Sequence, residues 1–189
     1  MGKYINIHEL WTMIKSHLIN SLVFTFFGTI LVSFSNGATS KYLFSLICIA
    51  VYMLDLYTRA EEIAKYDKKS YTGKISYPWK GILLPVGILG IWLLLFILYR
   101  VSWEYDIVSY NSGFINNLLF IIWNYIYKGF LDFTNGSFNY YYIILVVLVP
   151  VTASGLGYLA GLKNFDLSQK VVKMVYEEKK EEEKVNEEE

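Results

Sequence analysis

At 189 residues, with 54% apolar side chains, 18% aromatic ones and three prolines, the chain is sized for one compact domain. Its single cysteine, Cys48, excludes an intramolecular disulfide and any thiolate metal cluster drawn from one copy. The formal net charge of zero conceals an uneven layout: Glu177 to Glu189 carries eight Glu, and the remainder of the chain is net basic.

Apolar residues are gathered into blocks. Leu18 to Phe34, Tyr42 to Tyr57, Gly81 to Tyr99 and Tyr140 to Gly161 contain no charge other than Asp55. Each approaches the roughly 20 residues that a helix needs to span hydrocarbon. Unpaired backbone groups are too costly in lipid for anything but helices or a closed barrel, and the blocks lack the short alternation of barrel strands. The expected fold class is therefore all-α: a polytopic integral membrane bundle with four transmembrane helices at about 18–35, 42–58, 81–99 and 140–160.

Before the first block, Ile7, Leu10, Trp11, Ile14 and Leu18 recur at helical spacing, with His8, Glu9, Lys15 and Ser16 on other faces. This predicts an interfacial amphipathic helix running into the first span. The block is too long for a signal core and has no convincing cleavage site, so it is expected to be retained. His8 and His17 fall on different faces and make no helical metal pair, which leaves both as surface residues. Within the span, Ser21, Thr25, Thr29 and Ser33 follow at four-residue steps. Ser35-Asn36-Gly37 signals a turn into the second span, where Ser45, Cys48, Tyr52 and Asp55 form another polar line.

Past the second span, Thr58 to Tyr66 are good helix formers that should prolong it by about two turns. Asp55 with Arg59 and Glu61 with Lys65 are spaced for i,i+4 ion pairs. The loop then turns basic at Lys68, Lys69, Lys74 and Lys80, a patch suited to anionic head groups and to fixing orientation. With only a few aromatics beside it, the patch is too little for nucleic acid, which is not expected as a partner. Tyr77 and Trp79 before the third span, and Tyr99 and Trp103 after it, mark head-group borders.

The stretch Phe114 to Phe133 is apolar enough to be weighed as a fifth span, yet it contains Asn116, Asn117, Asn124 and Lys128. On one helix Asn117, Asn124 and Lys128 would share a face. The preferred reading is an amphipathic or re-entrant segment on the outer side, because a fifth crossing would place the Lys-rich tail outside. Of the 17 Lys and Arg, 14 fall in segments then assigned inside, Met1 to His17, Thr58 to Lys80 and Leu162 to Glu189. Both termini are therefore expected in the cytoplasm and the chain in a cell membrane, with residues 1–161 as a single transmembrane domain and 162–189 as a charged tail.

The fourth span carries Ala153, Gly157 and Gly161 at four-residue intervals, a pattern for close helix packing against another helix of the chain or a second subunit. Pro150 just before it is placed to kink the helix. Ser21, Thr25, Thr29, Ser33, Ser45 and Tyr52 make a candidate polar seam between spans one, two and four. No catalytic set, cofactor box or metal site is expected, since Ser154 and Ser168 lack an activating base and no phosphate-binding loop occurs. The expected function is a non-catalytic accessory or interaction component of a bacterial-type membrane complex, partnered by the bilayer and by another membrane protein or a second copy. The alternative is a small-solute permease or substrate-binding subunit that uses the seam.

Overall fold

The computed structural model describes residues 6–34, 38–68, 77–104, 111–130 and 140–163. These form α1 (Ile7–Phe34), α2 (Ala38–Lys68), α3 (Lys80–Leu83), α4 (Val86–Glu104), α5 (Asn111–Trp123), a 3-10 segment (Tyr125–Phe130) and α6 (Tyr140–Leu162). The described residues contain no strand, and four stretches are long and apolar enough to cross a membrane: Ile7–Ile30, Lys41–Lys68, Lys80–Ser102 and Tyr142–Leu162. Of the charged tail expected at 162–189, the residues from 164 onward lie outside the described residues.

The core is mainly apolar, yet long apolar side chains also line the outer surface and several polar groups are enclosed. Phe26, Leu94 and Leu156 are 65%, 59% and 59% exposed, while Glu9, His17, Ser21, Asp67, Lys80 and Asn124 are buried. Exposed apolar side chains run along all four long helices, as is compatible with helices that cross a membrane. Enclosed polar groups of this kind are costly unless each finds a hydrogen-bond partner.

The N-terminal segment runs without a break into the first long apolar helix, as expected. α1 is one 28-residue helix, and its inward stripe is Glu9, Met13, Ser16, His17 and Ser21, whereas Ile7, Trp11 and Leu18 point out. Of the expected apolar face, Ile7, Trp11 and Leu18 are exposed, whereas Leu10 and Ile14 are half-buried beside Gly87.

α2 packs most extensively on α6, and small residues set how closely they approach. A Cβ on Gly161 would lie 2.5 Å from the Glu61 carbonyl oxygen and 2.7 Å from the Ala64 Cβ, and one on Gly157 would sit 2.8 Å from Tyr57 Cα. Ala60 and Ala64 of α2 and Ala153 of α6 are buried along the same seam. The α6 stripe therefore meets a helix of its own chain. The third apolar block is broken at Leu84-Pro85, which splits α3 from α4. Pro150, by contrast, is accommodated within α6.

α5 has 13 residues, about 20 Å of helix, too short to cross about 30 Å of hydrocarbon. It packs on α4 and α1, stops at Trp123, and gives way to the 3-10 segment, which lies against α2 and α1. There Tyr125 covers Gly28 of α1, and Phe130 reaches Tyr42 near the start of α2, with ring centroids 5.7 Å apart. Phe120, Trp123, Asn124, Tyr125, Ile126 and Tyr127 are all buried. The segment is thus a hairpin pushed into the bundle, with its tip at Trp123-Asn124. Because the helix ends there, Asn117, Asn124 and Lys128 do not share the single helical face that the sequence suggested.

Candidate functional site

A helix that ends inside an apolar bundle exposes its last carbonyl groups to a medium that cannot hydrogen-bond them. α5 ends in this way, and the side chains around its tip answer the need. The Trp123 carbonyl accepts from Ser21 Oγ at 3.1 Å and lies 3.1 Å from His17 Nε2. A carbonyl only accepts, so His17 carries its proton on Nε2. In the neutral ring Nδ1 is then the acceptor for the Tyr52 hydroxyl 2.7 Å away. One turn back, the Phe120 carbonyl accepts from both the backbone N–H and the side-chain amide of Asn124, at 3.1 and 2.8 Å. The Asn124 side-chain oxygen accepts from Tyr142 of α6, and Trp92 of α4 donates to the same Tyr142 oxygen at 3.4 Å. Side chains from α1, α2, α4 and α6 thus converge on the tip of one short hairpin.

A second cluster lies one turn away on the α1–α2 face. Asp55 accepts from Ser16 Oγ and from Asn20 Nδ2, the latter at 2.7 Å, and Arg59 Nε stands 3.5 Å from its other oxygen. Glu61 and Lys65 pair at 2.5 Å. Both i,i+4 pairs read from the spacing are present, and Asp55 also ties α2 to α1.

The third cluster gathers the charges. Lys80 Nζ lies 2.8 Å from Glu9 Oε2 and 2.6 Å from Asp67 Oδ2, and its side chain is 2% exposed. Tyr158 of α6 donates to the same Asp67 oxygen at 2.9 Å. One ammonium therefore fastens the start of α1, the end of α2 and the start of α3, and α6 joins through a phenol. Lys80 is not a head-group anchor of the basic loop, as the sequence suggested, because this packing removes it from the surface. His17 likewise is no surface residue: at 2% exposure it is among the most enclosed polar groups.

The residues expected to form the seam are divided by the fold. Ser21, Ser45 and Tyr52 are buried, and two of them touch the hairpin network directly. Thr25 bonds back to the Ser21 carbonyl at 2.7 Å and exposed Thr29 to the Phe26 carbonyl at 2.8 Å, so both satisfy themselves on α1. The Ser33 side chain lies outside the described residues. The place expected for small residues of span four is taken by the hairpin, with Tyr142 as the α6 contribution. Ala153, Gly157 and Gly161 form a separate packing surface on α2, away from the seam.

His17, Asn124, Tyr142, Glu9 and Lys80 were missing from the sequence-level candidates. α1 does carry a signal: Glu9, Ser16, His17, Asn20 and Ser21 fall on one side of the helix and make a polar stripe beside Met13. Among the described residues no group of three or more His, Cys, Asp or Glu is arranged to hold a metal ion. No protein-family model, no curated protein and no solved structure matches the chain.

Proposed function

We propose that this chain is a four-span protein of a bacterial cell membrane, with both termini in the cytoplasm, acting as a non-catalytic component of a larger membrane complex. The observation that carries the reading is the mutual pairing of the side chains around the Trp123 carbonyl and Asn124. His17 uses both ring nitrogens, the Trp123 carbonyl takes two donors, and Asn124 and Tyr142 engage each other. Polar groups spent on each other hold an architecture in place and leave the outer faces and the bundle ends for recognition. The cytoplasmic assignment of the termini follows from the sided lysines.

A permease reading keeps one specific support. Trp123 Nε1 and Asn117 Oδ1, both on α5, are buried without a hydrogen-bond partner, as is Asp67 Oδ1. Irregular backbone at membrane depth is tolerated where protein buries it or where it lines a path.

Both readings are tested on one preparation, the full-length chain isolated at native abundance in a mild detergent. The accessory reading predicts an equimolar membrane protein that stays bound through a second chromatographic step and is recovered by reciprocal purification. A stable monomer that shows solute-dependent thermal protection, lost in Tyr52→Phe, contradicts it and supports the permease.

A further inference from the structure

An open apolar groove of about 440 Å³ runs between the segment before α3 and the outer face of α6. Its walls include Trp79, Ile82, Thr152, Gly155, Leu156 and Leu159. Thr152 turns its hydroxyl back to the Leu148 carbonyl at 2.7 Å, so it offers the groove its methyl group. The volume lies within the range of about 300–1,000 Å³ typical of small-molecule sites. Gly155 supplies the floor, where the missing side chain leaves room above Ile82.

Two features at one end say what would occupy it. Thr152, Leu156, Leu159 and Lys163 recur at steps of four, three and four, so exposed Lys163 continues the groove-facing stripe one turn beyond the apolar wall. Trp79 stands on the opposite wall, 69% exposed, with the amphipathic ring that favours the head-group layer. An apolar channel that opens laterally and ends at a cation matches an acyl chain joined to an anionic phosphate.

We propose that this groove is a binding site for an anionic phospholipid, one acyl chain lying against Gly155 and Leu156 and the phosphate meeting Lys163. The site rests on the membrane-embedded reading and joins α3 to α6 from outside, beside the internal Lys80 cluster. Lipid bound there braces α3 against α6 from outside, where the Tyr158 hydroxyl already ties α6 to the Asp67 partner of Lys80.

Native mass spectrometry of the full-length chain, released from detergent with equal amounts of phosphatidylglycerol and phosphatidylcholine of identical chains, tests it. The first bound lipid is expected to be phosphatidylglycerol by about fivefold, the contribution of one lysine near a lipid surface. Lys163→Gln should bring that ratio close to one, and Thr152→Trp should reduce retention of both lipids, while Leu94→Trp, on the exposed face of α4 away from the groove, changes neither. Equal retention by the unaltered chain, or a preference untouched by both groove variants, overturns the proposal. So does a dimer that Thr152→Trp dissociates with lipid retention unchanged, which would assign the groove to a second copy. Alkaline carbonate extraction tests the membrane reading separately: a chain that stays in the bilayer but shows no lipid preference removes only the lipid site.

Discussion

Replacing Lys80 with methionine is expected to cost about 3–5 kcal/mol, the usual range when one partner of a buried ion pair is removed. The loss arises because the substitution leaves Glu9 and Asp67, 5% and 3% exposed, with no cation between them. Methionine fills the volume, so packing is not the main loss. In a domain whose total stability is on the order of 5–15 kcal/mol, the full-length chain should show a large fall in thermal midpoint by fluorescence-detected size exclusion, or fail to elute as one species. The combination Glu9→Gln, Asp67→Asn and Lys80→Met should recover most of that loss, because it removes the charges together. A Lys80→Met chain as stable as the original contradicts the buried placement.

Gly157→Ala should be almost as damaging, although it adds one methyl group. The new Cβ would fall 2.8 Å from Tyr57 Cα and carbonyl carbon and closer still to the carbonyl oxygen, and backbone cannot swing aside as a side-chain end can. α6 must move off α2, at a cost of about 1–3 kcal/mol for overpacking, or more where the element is held at several points. Two glycines serve as internal controls. A Cβ on Gly90 meets nothing within 4 Å, and one on Gly155 meets only Ile82 at an ordinary 3.6 Å. Alanine at either should leave the thermal midpoint unchanged or slightly raised, since alanine favours helix over glycine by about 1 kcal/mol. Equal effects at Gly157 and Gly90 would refute the α2–α6 contact.

These two positions also mark what the amino-acid pattern reveals and what it hides. The spacing of Ala153, Gly157 and Gly161 singles out a close-packing face, because only small residues let helix backbones touch. Charge-free blocks likewise locate the long helices, since hydropathy is a property of a segment and needs no partner. Lys80 carries no such mark. A lysine beside Trp79 at the border of an apolar block reads as an interfacial anchor, and its true role depends on Glu9 and Asp67, which lie 71 and 13 residues away by their numbering. His17 is hidden for the same reason, its partners being Tyr52 and the backbone of Trp123. The hairpin stands between these cases. Its asparagines and Lys128 argue against a crossing, but where it stops is decided by the fit of its tip among His17, Ser21, Asn124 and Tyr142.

The hairpin sets the number of crossings. If residues 111–130 enter the bundle and leave on the side from which they came, the segments before and after them face the same compartment. Single cysteines at Ser109, Asn135 and Lys69, in a background with Cys48→Ala, can be challenged in intact cells with a membrane-impermeant maleimide. Ser109→Cys and Asn135→Cys are expected to label together from outside, with Lys69→Cys reacting only after the membrane is opened. Labelling of Ser109→Cys and Asn135→Cys from opposite sides would make the hairpin a fifth crossing and contradict the four-span architecture.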